Sequence, residues 1–126
     1  IADLVGNDDA CGLEAWLGIA HGLETVTVPA RSEVACLDVA SLGRVWRRLP
    51  RIGALLNGLL GYRLRRVHRN AACALHHDVQ QRVCRWLLWS AARSGRAGVP
   101  VTHAQLADVL GVRRQSIGLA AAALQR

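Results

Sequence analysis

The sequence predicts a mostly helical α+β chain with short strands first, one long helix in the middle and two short helices at the end. Three observations lead to this fold class. Short β-branched runs separated by turn residues precede Asp38, an apolar seam recurs at steps of four and three from Leu60 to Ala74, and two apolar-faced segments flank Gly111. We therefore expect three regions, at residues 1–49, 50–77 and 78–126.

The first region carries the strand pattern. Residues 2–6, 23–28 and 33–37 are predicted strands, separated by turns that contain Gly, Asp or Pro, and residues 13–17 could form one helical turn. Three strands are too few to close a sheet, so either partner strands precede Ile1 or this region is poorly ordered. The chain starts without an initiator Met and stops at Arg126 inside a helical run, so we expect it to be a fragment.

The middle region is predicted to contain two helices. Asp38 is a suitable N-cap for a helix over residues 39–49, and Pro50 can start the next helix, which runs from Arg51 to about His76. Three glycines in its first half would each cost about 1 kcal/mol relative to Ala, which is acceptable where another element packs closely. These are Gly53, Gly58 and Gly61.

Two apolar seams run along this long helix, which suggests two packing partners. The first seam comprises Leu60, Leu64, Val67, Ala71 and Ala74, and the second Ile52, Leu55, Leu59 and Tyr62. One seam would face its own domain, and the first could pair with the same helix of a second subunit, as in a coiled coil. A helix buried inside a single domain is the alternative.

Asp78 is the predicted N-cap of the next helix, which should end near Gly95. One face of that helix carries Val79, Val83, Trp86, Leu87 and Ser90, and we expect Trp86 and Trp89 to lie in the core. A loop follows, with a short extended piece at residues 99–101, before Thr102 caps another helix.

The last 25 residues divide into two short helices around Gly111, which permits a left-handed turn. Leu106 and Leu110 would give the first helix an inward face, with a small residue, Ala107, where the second helix crosses. The second helix would face inward through Ile117, Ala121 and Leu124. Residues 113–116 would then be exposed at its N-terminal end.

These exposed residues suit base reading in the DNA major groove. Arg113 and Arg114 can each donate two hydrogen bonds to guanine, and Gln115 can pair in the same way with adenine. Ser116 is a predicted phosphate contact, and Thr102 and His103, at the N-terminus of the preceding helix, could anchor another phosphate. A helical hairpin with a solvated basic turn is the plainer alternative.

The distribution of charge favours a polyanionic partner for the C-terminal part. Residues 1–43 contain seven acidic side chains and one arginine, whereas residues 44–126 contain fifteen arginines and two acidic side chains. Such asymmetry is typical of chains in which only one part meets nucleic acid. Arginines 63, 65, 66 and 69 of the long helix are expected to form a solvated face.

Two segments give the chain a family resemblance. The sequence H-D-V-Q-Q-R-V-C-R-W-L-L, from His77, and the sequence V-T-H-A-Q-L-A-D-V-L-G-V-R-R-Q-S-I, from Val101, resemble the Crp/Fnr family of transcription regulators. The resemblance extends over essentially the whole chain. It implies the end of a β-roll sensor domain, a dimerisation helix, and a winged-helix-type helix-turn-helix domain whose wing is truncated.

The resemblance also implies partners: double-stranded DNA, a second copy of the chain in a homodimer, and RNA polymerase. We expect a cytoplasmic protein because neither a membrane span nor a signal peptide is visible in the sequence, and we expect no cofactor. The two recognition helices of such a dimer would be about 34 Å apart, one DNA turn.

The chain departs from the family pattern in two places. Members that bind cyclic nucleotides have a Gly-Glu pair and then an Arg-Ser pair, but here Gly12 precedes Leu13 and the expected arginine falls near Leu23, which argues against cyclic AMP as the effector. The pair Arg31-Ser32 has the same residues as the second pair, but it lies too far along the chain and next to Pro29, in a predicted turn. In the reading helix, members of the cyclic-AMP-receptor type have Arg-Glu and an arginine four residues later, whereas this chain has Arg114-Gln115 and Leu119, so we expect a different operator.

Other functional classes have weaker support in the sequence. Cys73, His76 and His77 could start a metal site, with Cys84 nearby, but Cys-x-x-His is a weak motif, and we expect all four cysteines to be reduced. No Gly-x-Ser-x-Gly elbow is present and no His-Asp pair lies beside an obvious nucleophile, so we expect that the chain is not an enzyme. A helical module that binds an acidic protein surface remains the other alternative. No apolar stretch is long enough to suggest a membrane span.

Overall fold

The computed structural model describes residues 4–6, 9–19, 21–22, 24–28, 33–95 and 98–126. Within these residues the regular structure is helical. It comprises one 3₁₀ turn at Leu13–Leu17 and five α-helices: α1 at Val39–Arg48, α2 at Arg51–His76, α3 at Val79–Ser94, α4 at His103–Leu110 and α5 at Arg114–Leu124. The helices expected from the sequence, and the single turn at residues 13–17, are confirmed.

No strand occurs in the part of the chain that the structure describes. The prediction of strands was therefore wrong for residues 4–6, 24–28 and 33–37, whereas residues 99–101 lie in a loop without regular structure. A strand is stable only when its backbone groups pair with a neighbour, and these segments have none of the partners that a sheet requires. Outside the described residues lie the other positions of the predicted strands, residues 2–3 and Leu23, and also the Arg31-Ser32 pair.

The chain divides into two units by its internal contacts. One unit is Asp9–Arg63, and the other combines Ile1–Asp8 with Leu64–Arg126. The division falls within α2. The expected division at residues 49 and 77 stays a prediction about domains.

In the unit Asp9–Arg63, α1 starts at the expected cap. The Ser41 N–H donates to Asp38 Oδ1 at 2.7 Å, and the Ser41 hydroxyl donates to Oδ2 at 2.5 Å. These hydrogen bonds hold the pKa of the Asp38 carboxyl below its usual value of 3.8. The same unit contains an edge-to-face pair of Trp16 and Trp46, with ring centroids 4.7 Å apart.

The expected close approach to the glycines of α2 is found at Gly53. A Cβ atom at this position would be 2.5 Å from Nε1 of Trp46, so the indole of α1 fits only against a glycine. Apart from the backbone of α2 itself, none of the described residues has an atom within 4 Å of a Cβ built at Gly58 or Gly61. The second seam of α2 is only partly buried: Ile52 and Leu59 are half-buried, whereas Leu55 and Tyr62 are exposed.

Arg63 corrects the prediction of a solvated arginine face. Its Nη2 donates to both carboxylate oxygens of Glu24, at 2.6 and 2.8 Å, and its Nη1 donates to the Ala10 carbonyl at 3.1 Å. The side chain is buried because its planar fork meets three acceptors from the segment that precedes α1.

Arg66, in the other unit, corrects the same prediction. It is also buried, donates to the Leu4 carbonyl, and its guanidinium lies 4.6 Å from the ring centroid of Trp89. Arg65 and Arg69 are exposed, as expected.

Trp89 has a polar environment that the sequence did not predict. Arg85 and Arg93 are each 5.9 Å from its ring centroid, in addition to Arg66. Arg85 also donates to Oδ1 of Asn70 at 2.7 Å, which links α3 to α2. Trp89 is therefore a cation–π platform rather than a residue of the apolar core.

The apolar core of this unit is formed by α3, α4 and α5. Its buried members are Val83, Leu106, Ala107, Ile117 and Ala120. Partly buried side chains pack around them: Val79, Trp86, Leu87, Val101, Leu110 and Val112. The predicted inward face of α3 is thus confirmed at Val79, Val83, Trp86 and Leu87. None of the described helices is long and apolar enough to cross a membrane.

Candidate nucleic-acid interface

Helix α4 begins with a complete capping box. The Gln105 N–H donates to Thr102 Oγ1 at 3.2 Å, and the Thr102 N–H donates to Gln105 Oε1 at 2.8 Å. The Thr102 hydroxyl also donates to Gln105 Oε1, at 3.0 Å. Thr102 and His103 are both exposed at this helix end, which carries partial positive charge.

Gly111 makes the turn between α4 and α5. Its backbone is left-handed, with φ 63° and ψ 42°, as the sequence predicted. The Val112 N–H donates to the Ala107 carbonyl at 3.0 Å, and the Gly111 N–H to the Asp108 carbonyl at 3.3 Å. This is the hydrogen-bond pattern of a Schellman motif, which ends α4 and turns the chain toward α5.

Helix α5 is held from behind by the core. Ile117 is fully buried and Ala120 is 6% exposed, and both pack with Ala107 of α4 and Val83 of α3. The prediction of the inward face was right for Ile117 and wrong for Leu124, which is 40% exposed. Ala120, rather than Ala121, is the buried residue of the middle turn, because α5 packs against α3 as well as α4.

The first turn of α5 is exposed at its N-terminal end. Arg113 is its N-cap but makes no side-chain capping hydrogen bond, and the side chains of Arg113, Arg114 and Gln115 are exposed. Ser116 is half-buried. The prediction that residues 113–116 are exposed is therefore right for Arg113, Arg114 and Gln115 and wrong for Ser116, which lies next to the buried Ile117.

Charge around this end of α5 favours an anion. Among residues 102–126 the basic side chains are Arg113, Arg114 and Arg126, and Asp108 is the single acidic one. The geometry therefore offers donors without competing carboxylates on the exposed turn. Fork-shaped guanidinium groups and a carboxamide are the groups best suited to base edges.

Arg82 belongs to this site, although the sequence analysis did not select it. From α3 it donates to the Leu110 carbonyl at the C-terminal end of α4. Arg82 lies in the segment from His77 that carries the family resemblance. The carbonyl that it contacts, however, is 28 residues further along the chain, so no local pattern indicates this contact. Arg82 thus contributes to the site by contacting the end of α4, next to the turn that leads into α5.

The seam proposed for dimerisation lies largely on the surface. Leu64 is 57% and Val67 44% exposed, and Ala74 is exposed, whereas Leu60 and Ala71 are half-buried. Leu64, Val67 and Ala74 thus have little contact with the other described residues of their own unit.

The residues of the metal alternative lie on and next to the C-terminal end of α2. Among the described residues no three His, Cys, Asp or Glu side chains are grouped to hold a metal. Cys73 is buried and its Sγ lies 3.1 Å from Nδ1 of His77, whereas His76 is exposed. All four cysteines are free, and Cys11 and Cys36 are exposed.

Comparison with protein families identifies the C-terminal part. Residues 81–126 match the family model of the Crp-like helix-turn-helix domain. No curated protein and no solved structure gives a significant match to the chain. The matched segment contains most of α3 and all of α4, the turn and α5, so it coincides with the core and the exposed turn described above.

Proposed function

We propose, from the premise that residues 81–126 are a Crp-like helix-turn-helix domain, that this chain is a sequence-specific transcription regulator of the Crp/Fnr type. Double-stranded DNA is the partner of such a domain. In the proposed mode α5 enters the major groove, and two copies of the chain, paired through α2, read the two halves of a near-palindromic site.

One observation carries this proposal. Ile117 fixes α5 against α3 and α4, while Arg113, Arg114 and Gln115 remain exposed on its first turn. A reading helix needs both properties, because base contacts discriminate only when the side chains that make them approach from a fixed backbone. In this proposal Arg113 and Arg114 read guanine edges and Gln115 reads an adenine edge.

Phosphate contacts would set the register of the protein on the duplex. Ser116 and the N-terminus of α4, with Thr102 and His103, are the proposed anchors. Because the Thr102 hydroxyl is occupied by Gln105, we assign the α4 contact to the backbone amides that precede Gln105 and to His103. The effector is unassigned, and a bacterial regulator of this type would act in the cytoplasm.

The test begins with selection of bound sites from random duplexes by the full chain at fixed salt concentration. Arg114→Ala should then weaken binding to the selected site by about 1–3 kcal/mol and change binding to random DNA little, because a base contact is lost but the phosphate contacts remain. Titration of labelled duplex by fluorescence anisotropy measures both affinities.

Arg65→Ala is the matched control, since it removes the same charge from an exposed position on α2. It should reduce the affinity for both duplexes equally and slightly. An equal loss of both affinities in Arg114→Ala would make Arg114 a phosphate contact. Failure of the unaltered chain to bind any duplex, at low salt as well, would overturn the proposed function.

A further inference from the structure

Helix α2 is attached to α3 by polar side chains rather than through the apolar core. Each described member of that core belongs to α3, α4, α5 or the loops on either side of α4. Along the chain, only His77 and Asp78 separate α2 from α3. So short a connection limits the distance between the two helices but not the angle, so side-chain contacts have to determine the angle.

Asn70 and Arg85 form the hydrogen bond that connects the two helices. Arg85 Nη2 donates to Asn70 Oδ1 at 2.7 Å, and Arg85 Nη1 donates to the Arg69 carbonyl at 3.5 Å. Asn70 is 8% exposed, whereas Arg85 is half-buried. The orientation of the carboxamide follows from this contact, because the reverse orientation would place an N–H group against a guanidinium, which has no acceptor.

The carboxamide of Asn70 depends on Arg85. Its Nδ2 atom is buried and has no hydrogen-bond partner among the described residues, so the bond from Arg85 is the one that it makes there. A buried polar group that loses its partner costs more free energy than the bond itself contributes. The pair therefore adds little stability but penalises each arrangement of α2 and α3 that separates the two side chains.

Trp89 provides a second contact between the same two helices. The Arg66 guanidinium lies 4.6 Å from its ring centroid. Arg66 and Asn70 lie on one face of α2, and Arg85 and Trp89 on one face of α3, because residues four apart are neighbours on a helix surface. Two contacts one turn apart restrict the angle between the helices as well as their distance.

We propose that Asn70 and Arg85 are positioning residues that determine which spacing between half-sites the dimer accepts. The inference rests on the proposed function, in which α2 pairs with its copy and α5 reads DNA. Because the core joins α5 to α3, the angle between α2 and α3 determines the separation of the two copies of α5. Each base pair added between the half-sites moves the second by about 3.4 Å along the duplex and about 35° around it.

The experiment compares duplexes that carry two selected half-sites separated by spacers of different lengths. To bind a spacing one base pair longer or shorter, the dimer must break the Asn70–Arg85 contact in at least one copy, which leaves Oδ1 buried without a donor. We expect the unaltered chain to bind its preferred spacing at least about tenfold more tightly than either neighbour. Fluorescence anisotropy at fixed salt concentration, repeated for each duplex, gives this spacing profile.

Removal of the pair should flatten the spacing profile. In Asn70→Leu no buried oxygen is left unpaired, and the half-buried Arg85 can turn to solvent, so the preference should fall to about threefold or less. Arg85→Met leaves Asn70 without its donor at every spacing and should flatten the profile in the same way. Circular dichroism checks that both variants fold.

Two further variants are the controls. Asn70→Asp retains an acceptor for Arg85 and should retain the preference for one spacing. Arg65→Ala removes an exposed arginine of α2 and should leave the profile unchanged. A flattened profile in either control would contradict the role of the hydrogen bond.

A purely structural role of the pair gives a different result. Loss of folded protein weakens binding to all spacings in the same proportion and leaves their ratio unchanged. Such a parallel loss in Asn70→Leu and Arg85→Met, or an unaltered chain that binds all spacings alike, overturns the positioning role and leaves the regulator assignment intact. Absence of binding to every duplex instead overturns the proposed function itself.

Discussion

Arg82 connects α3 to the turn between α4 and α5 through a single side chain. Its guanidinium donates to the Leu110 carbonyl, which is one of the last carbonyls of α4 and lacks a donor within that helix. A cation at a helix C-terminus is also favoured by the helix dipole. Arg82 therefore stabilises the end of α4 and the packing of α3 at the same time.

Arg82→Ala should lower the free energy of unfolding by about 1–2 kcal/mol, because a charge-assisted hydrogen bond to a partly buried carbonyl is lost. Urea denaturation followed by circular dichroism measures this difference. Gln80→Ala, at an exposed position of the same helix, is the control and should change the stability by less than about 0.5 kcal/mol. Equal stability of both variants would remove the proposed role of Arg82.

Arginine is also the residue type for which sequence reasoning failed most clearly. Arg63 and Arg66 were expected to be solvated with their neighbours on α2, yet both are buried. Their partners, Glu24 and the Leu4 carbonyl, lie 39 and 62 residues away in the chain. Helical periodicity describes only which residues share a face, so it contains no information on a distant segment that covers that face.

At the scale of elements, the helix starts were the most predictable feature. Asp38, Asp78 and Thr102 are all N-caps in the structure, and the last two form capping boxes with a glutamine three residues later. A cap and its partner are separated by one turn, so the sequence contains the whole interaction. Gly111 was predictable for the same local reason.

The cap of α4 offers a test that bears on the interface. Thr102→Ala removes the acceptor of the Gln105 N–H and should destabilise the chain by about 1 kcal/mol. Chemical denaturation measures the loss, and hydrogen exchange of the first-turn amides of α4 should increase. Thr102→Ser retains the hydroxyl and should preserve both properties; a matching loss in Thr102→Ser would contradict the capping explanation.

The predicted strands and the inward face of α5 show where local reasoning stops. Strands at residues 24–28 and 33–37 had the right composition, but their stability depends on partners that composition cannot supply. In α5 the spacing of apolar residues identified Ile117 but did not distinguish Ala120 from Ala121. That choice depends on packing against two helices at once, which no pattern within α5 records.

At the scale of the whole molecule, the exposed seam of α2 is the feature that a second copy of the chain would cover. Leu64 and Val67 are the largest exposed side chains of that seam. In the proposed homodimer they would pack against their counterparts, because a two-fold axis brings the same residues of both helices together.

Leu64→Asp should shift the protein from dimer to monomer. Burial of unpaired carboxylates at the seam would cost about 3–5 kcal/mol, so dissociation should be seen by sedimentation at micromolar concentrations. Leu55→Asp is the control, because Leu55 is equally an exposed leucine of α2 but lies on the opposite side of the helix. Dissociation by Leu55→Asp alone, or a monomeric unaltered chain, would contradict the proposed seam.

The short turn at Gly111 has a consequence for how such a regulator changes its targets over evolutionary time. Only residues 111–113 separate α4 from α5, and the left-handed glycine leaves the connection little room for insertions or alternative paths. In the proposed mode, new operators would therefore arise by exchange of single exposed side chains on an unaltered frame. A lineage could diverge in the genes it controls while the spacing between its half-sites is inherited unchanged.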